Sequence, residues 1–146
     1  MIMKLSTRTR YGVRAVLELA AGQDGEPVQI KTIAHRQDIS FKYLEQLMAI
    51  LKSAGFVRSI RGAKGGYILA KPANQIKLSD VFNALEGPVT TVECLENENY
   101  CTRVADCVTR QVWAEVQQAI MSVLQSMTLQ DLVDRTKDKK TLNYQI

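Results

Sequence analysis

The sequence predicts a mainly α-helical fold carrying one small β-hairpin, and three observations predict it. Apolar residues recur at helical spacing over most of the chain, Phe56 to Leu69 turns strand-like around three glycines, and a broad apolar stripe runs from Val104 to Met127. With 46% of its 146 residues apolar, the chain can bury one core. A chain of this size exposes much surface unless a partner covers it.

The elements follow in order. Ser6 to Ala21 sets Leu5, Val13, Val16, Leu17, Leu19 and Ala20 on a helical period, and Gly22 with Gln23-Asp24-Gly25-Glu26-Pro27 ends this first helix. Arg8, Arg10 and Arg14 line its outer side, where they meet phosphates or simply keep that face in water. Val28-Gln29-Ile30 is a short extended segment, and Lys31 to Gln37, with Ile33 and Ala34 inward, is a second helix. Asp38-Ile39 turns the chain toward Ser40, which is suited to N-cap a third helix, and Gly55 suits the left-handed position that closes it. Between them Leu44, Leu47, Met48, Ile50 and Leu51 face a core, leaving Lys42, Tyr43, Glu45, Gln46 and Lys52 toward solvent or a ligand. Phe56 to Ile60 and Tyr67 to Leu69 are two strands, joined by the reversal Arg61-Gly62-Ala63-Lys64-Gly65-Gly66.

Beyond Lys71-Pro72, Ser79 starts a short helix, Val81 to Glu86, closed by Gly87-Pro88, and a polar, acidic loop runs from Val89 to about Val104. The long helix Val104 to Met127 carries Val104, Val108, Val112, Val116, Ile120, Val123 and Met127 in one stripe, with Trp113, Ala119 and Leu124 beside them. At the usual rise it is about 36 Å long, more than a small domain covers, which predicts a homodimer in which these helices pack on their symmetry mates. Thr128, with Asp131 at the capping-box position, starts a last short helix, Leu129 to Val133, and Lys137 to Lys140 belong to a frayed end. The expected organisation is a winged helix-turn-helix over 1–88, a cysteine loop over 89–107, a dimerisation helix and terminal helix over 104–134, and a flexible tail over 135–146.

Helix, helix, tight turn, helix, hairpin is the order of a winged helix-turn-helix. The major groove of duplex DNA accepts one α-helix, and a hairpin tip reaches adjacent phosphates or a minor groove. The charge distribution agrees: residues 1–72 hold 12 Lys or Arg against 5 Asp or Glu, whereas 73–146 hold 7 against 10. No apolar run approaches a membrane span and the N-terminus does not read as a signal peptide, so the expected compartment is the cytoplasm. A phosphate loop, a Ser/His/Asp set and a dinucleotide fingerprint are all missing, and the one histidine, His35, falls in the second helix, which argues against an enzyme.

All three cysteines, Cys94, Cys101 and Cys107, fall within 14 residues as C-x6-C-x5-C. An iron-sulfur cluster uses thiolates, tolerates a non-cysteine ligand and suits a loop, so it ranks first. A redox-sensing thiol set ranks second. Structural zinc wants four ligands and usually a C-x2-C knuckle, and ranks third. A disulfide would leave an odd thiol and need an oxidising compartment.

Four stretches together resemble the IscR/NsrR-type family of dimeric winged-helix transcription regulators. They are Met3-Lys4-Leu5-Ser6-Thr7 with Arg10-Tyr11, the run Ile39-Ser40-Phe41-Lys42-Tyr43-Leu44-Glu45-Gln46-Leu47, the wing Arg61 to Tyr67, and the triple-cysteine loop, and the likeness covers nearly the whole chain. The resemblance implies that Tyr43, Glu45 and Gln46 touch DNA together with Arg61, and that Cys94, Cys101 and Cys107 hold a cluster of two-iron or four-iron type. Lys42 stands at a contact position where the family has a small polar residue. The fourth ligand departs from the pattern: Arg110 replaces the histidine one turn after the third cysteine, and Arg10 replaces a first-helix carboxylate used by the partner subunit in some members. Glu93, Glu96, Glu98 and Asp106 are the nearby oxygen donors.

The expected function is therefore a transcription regulator, a repressor, on a pseudo-palindromic duplex operator. Lys42, Tyr43, Glu45 and Gln46 would read base edges, while Arg61, Lys64, Gly65 and Gly66 grip the backbone or minor groove. Glu45, inside a basic patch, either weakens non-specific phosphate binding and favours a cytosine amino group or pairs with Lys42 or Lys52. Cluster state would act through the long helix, which sets the separation of the reading heads. The alternative is a cluster-free regulator sensing oxidants or a metabolite through bare thiols, or answering to a partner protein.

Overall fold

A computed structural model describes residues 4–22 and 25–144. Met3 of the N-terminal match, Gln23 and Asp24 of the first turn, and the last two residues of the expected tail lie outside them. Six helices and one hairpin follow each other as α1 (Thr7–Ala21), α2 (Ile30–Gln37), α3 (Phe41–Ser53), β1 (Val57–Ile60), β2 (Gly66–Leu69), α4 (Leu78–Glu86), α5 (Val108–Gln125) and α6 (Leu129–Tyr144).

Local chemistry sets the helix ends. Ser6 caps α1 by accepting from the Thr9 amide at 3.1 Å, and Ser40 caps α3 by accepting from the Tyr43 amide at 3.2 Å, each satisfying a donor that the first turn leaves open. Asp38, at φ 52, ends α2 in the left-handed region and makes the sharp turn into α3, while Gly55, at φ 85, follows the end of α3. Thr128 and Asp131 cap α6 reciprocally: the Thr128 amide donates to the Asp131 carboxylate at 2.8 Å, and the Asp131 amide to the Thr128 hydroxyl at 3.3 Å.

The core is built where the apolar spacing put it. Val16 and Leu19 of α1, Ile33 of α2, Leu44, Leu47, Met48 and Leu51 of α3, Val57 of β1 and Val81 and Leu85 of α4 form one buried cluster. Leu5, by contrast, precedes α1 and is exposed. The hairpin is antiparallel, with Val57 opposite Leu69 and Ile60 opposite Gly66. Val28 adds a single bridge to Tyr67 through two backbone bonds of 2.9 and 2.8 Å, which ties the wing to the segment before α2.

Three helices differ from the sequence reading by more than one residue at an end. Helix α4 begins at Leu78 after Lys77, so Ser79 is a buried residue of its first turn and not its cap. Helix α5 spans Val108–Gln125: Val104 sits in a separate 3₁₀ turn and Met127 in the connection to α6. Helix α6 runs on to Tyr144 where a short helix and a flexible tail were expected. Its first turns are anchored, since Leu129 joins the core and Val133 is buried. The backbone also pairs Leu129 with Ile76 at 3.0 Å, and good helix formers carry the pattern onward.

Candidate nucleic-acid interface and cysteine loop

Helix α3 buries one side and offers the other. Lys42, Glu45 and Gln46 are exposed along a single face while Leu44, Leu47 and Met48 on the opposite side are buried. Lys52 donates to the Ser59 hydroxyl at 3.1 Å and not to Glu45. Among the described residues the ion pair is Arg36 with Glu18, so Glu45 pairs with neither Lys42 nor Lys52. The surface-pair explanation of Glu45 thus loses its partners. Tyr43 is placed differently from its neighbours: it is half-buried, its hydroxyl lies 3.1 Å from that of Thr7, and its ring meets Tyr11 edge-on at 6.2 Å.

At the wing tip Arg61 and Lys64 are exposed. The two glycines have a structural duty first. Gly65 is buried, its amide donates to Gly62 at 3.0 Å, and a β-carbon there would stand 2.1 Å from the Ile60 carbonyl oxygen. Gly66, at φ 152, passes so close to Val28 that a β-carbon would lie 2.5 Å from that carbonyl oxygen. The Gly65 amide is thus engaged inside the turn by the Gly62 carbonyl.

The arginines of α1 are mostly engaged within the fold. Arg8 Nε donates to the Leu85 carbonyl at 2.7 Å, and Arg14 donates to Gln37 through its side-chain oxygen at 2.7 Å and its carbonyl at 3.1 Å. Each cation sits at the C-terminal end of a helix, α4 and α2 respectively, where the backbone carbonyls favour positive charge. Arg10 and Arg14 also flank the Tyr11 ring, 5.8 and 5.4 Å from its centroid.

The cysteine loop lies against α5. Thr91 donates from its amide to Gln117 at 3.1 Å and from its hydroxyl to the Trp113 carbonyl at 3.0 Å. Arg110 donates to the Cys94 carbonyl through Nε and an Nη, both at 3.3 Å. Cys101 is exposed, and Cys94 and Cys107 are half-buried free thiols. Cys107 stands at the N-terminus of α5, 3.3 Å from the Thr109 hydroxyl. That hydrogen bond and the Arg110 amide hold its thiol below the ordinary value. Among the described residues no three Cys, His, Asp or Glu side chains gather closely enough to hold a metal ion. The donor set is three thiols whose expected fourth partner is a guanidinium turned onto a carbonyl, a group that cannot ligate iron. The cysteines thus supply three ligand atoms, and Arg110, at the expected fourth position, supplies none.

Helix α5 has no buried residue, and Val108, Val112, Trp113 and Val123 are exposed apolar side chains. No helix among the described residues is long and apolar enough to cross a membrane.

A helix presented beside a hairpin on the basic half of the chain defines a winged-helix DNA-binding transcription regulator. Residues 5–135 match the family Rrf2, described as an iron-dependent transcriptional regulator, and the chain belongs to it. It is 47% identical over 131 residues to the protein named rrf2 of Nitratidesulfovibrio vulgaris, covering 90% of this chain and 87% of that protein. Two solved structures are similar. One is CymR, the global cysteine regulator of Bacillus subtilis, with 40% identity, a TM-score of 0.80 and coverage of 92% of this chain and 98% of that one. The other is IscR of T. potens, with 40% identity, a TM-score of 0.78 and coverage of 94% and 90%. Relatives named as regulators, and not as enzymes, agree with the missing catalytic set.

Proposed function

We propose that the protein is a homodimeric, sequence-specific repressor of the cytoplasm whose operator affinity is set by the state of the cysteine loop. The observation that carries the DNA-reading part is the exposed Lys42, Glu45 and Gln46 face of α3 beside the Arg61 and Lys64 wing tip, with Glu45 unpaired. Lys42 and Gln46 donate to base acceptors and Glu45 accepts from a cytosine amino group, while Arg61 and Lys64 meet phosphates or the minor groove. Tyr43 joins this face through its hydroxyl, and Gly65 and Gly66 shape the tip. The apolar face of α5 packs on its mate in a second copy, and the two reading heads then face half-sites of a pseudo-palindrome.

For the switch, the arrangement supports the thiols themselves. Arg110 occupies the place of the expected ligand, and among the described residues no three donors gather as a metal site. A peroxide would join two of the thiols as a disulfide, taking their two electrons and two protons and leaving as an alcohol and water. The loop is bonded to α5 at Thr91 and Arg110, so its rearrangement shifts the helix that spaces the heads.

An iron-sulfur cluster on Cys94, Cys101 and Cys107 is the second reading, supported by the C-x6-C-x5-C spacing and by the family's iron-dependent description. Its fourth ligand would come from outside the cysteine triplet. Anaerobic purification with iron and sulfide analysis and an absorption spectrum decides between the two. The thiol reading expects neither iron nor sulfide and an operator affinity that changes when peroxide is added. Stoichiometric iron and sulfide, with operator affinity following their loss, would replace it by the cluster.

A further inference from the structure

The end of α4 grips the first turn of α1 in a way the DNA-reading face does not explain. One oxygen of the Glu86 carboxylate accepts from the Ser6 hydroxyl at 2.7 Å, from the Ser6 amide at 3.3 Å and from the Thr9 hydroxyl. Thr9 is 1% exposed, so its hydroxyl has no water to fall back on. One residue earlier in α4, the Leu85 carbonyl accepts from Arg8. Three of the four residues Ser6 to Thr9 are thus held by two consecutive residues of a helix that lies 77 to 80 positions away in sequence.

The fourth, Thr7, points the other way and meets the Tyr43 hydroxyl at 3.1 Å. Tyr43 lies in the first turn of α3, between Lys42 and Glu45, and Tyr11, one turn further along α1, supports its ring. Its phenol has a donor and an acceptor direction; Thr7 takes one and leaves the other for a base edge. Where the first turn of α1 sits therefore decides where the free direction points.

We propose that Glu86 is a positioning residue for base reading: by holding the first turn of α1 it fixes, through Thr7, the direction the Tyr43 hydroxyl presents on α3. Glu86 touches no DNA. It acts at a distance because α1 is a rigid helix bonded to α4 on one side and to α3 on the other. The inference rests on the proposed reading face and names what keeps one of its residues in register.

The test is a set of thermodynamic cycles on purified full-length protein at one fixed salt concentration. Two probes are used: the duplex that wild-type protein enriches from a randomised library, and a scrambled duplex of the same composition. Thr7→Val and Tyr43→Phe should each reduce the preference for the enriched duplex roughly 3- to 10-fold, as expected for one hydrogen bond. Affinity for the scrambled duplex reports the sequence-independent part of each change. Glu86→Ala should reduce the preference comparably and add little on the Tyr43→Phe background. A Glu86→Ala protein that keeps wild-type preference, or losses that multiply independently in the double variant, overturns the proposal. Should Glu86→Ala fail to fold, exposed Thr7 carries the test: an unchanged preference in Thr7→Val overturns it equally. Wild-type protein that enriches no sequence defeats the reading face and this inference together. A wild-type preference that survives Glu86→Ala defeats this inference alone.

Discussion

Glu45 illustrates how a single exposed carboxylate gains meaning from what surrounds it. On the basic half of the chain it repels phosphates, and no lysine of its own helix neutralises it. Ser40 and Glu86 show the other side, where polar groups serve the backbone. Ser40→Ala removes the acceptor for the Tyr43 amide and should lower stability by about 1 kcal/mol, read as a lower midpoint in thermal or urea unfolding. Glu86 has its carboxyl held below the ordinary carboxylate value by the Thr9 hydroxyl first and the Ser6 hydroxyl next, with burial opposing them. A depressed folded-state pKa contributes stability that is present above the unfolded value and lost as pH falls through the lowered one. The Tm difference between wild type and Glu86→Gln should therefore be constant near neutral pH and shrink as the solution is acidified. A difference that grows on acidification would contradict this account of the carboxylate. The Ser40 cap was legible because cap and amide lie three residues apart; the Glu86 clamp was not, because nothing near Ser6 in sequence announces a carboxylate 80 residues away.

At the scale of elements, the wing and the two last helices carry different lessons. The run of glycines signalled the hairpin, but only the fold reveals that Gly66 must pass the Val28 carbonyl. Gly66→Ala should force the wing off the α2 segment, cost on the order of 1 to 3 kcal/mol and weaken DNA binding, as seen by thermal unfolding together with a duplex titration. The α5 stripe was readable from its spacing; α4 and the cysteine loop pack against this helix, yet Val108, Val112, Trp113 and Val123 stay exposed. If α5 packs on its mate as proposed, Val112→Asp with Val123→Asp should leave each chain folded, since both residues are exposed, yet sediment as a monomer at micromolar concentration where wild type sediments as a dimer. A double variant that still sediments as a dimer would move the interface elsewhere. Helix α6 was underestimated because its second half is too polar to show an apolar period, and helicity there follows from propensity and from the anchored Leu129 and Val133.

Over the whole molecule, charge is divided between a basic half that carries α3 and the wing and an acidic half that carries the cysteine loop and the α5 stripe. The order of elements, the reading helix and the wing tip were legible because each rests on local patterning of period, caps and glycines. The geometry of the cysteine loop was not, because spacing names donors without placing them; the turn of Arg110 onto the Cys94 carbonyl appears only in three dimensions. The account stands most directly on selective duplex binding by α3 and the wing, and a titration of full-length protein against enriched and scrambled duplexes across a salt series measures it. It predicts that the enriched duplex binds about 10³-fold tighter or more at physiological salt. It also predicts that both affinities fall linearly on a log–log salt plot and that Glu45→Ala narrows the gap chiefly by strengthening scrambled-DNA binding. Equal affinity for the two duplexes at every salt concentration, or no binding even at low salt, would contradict it.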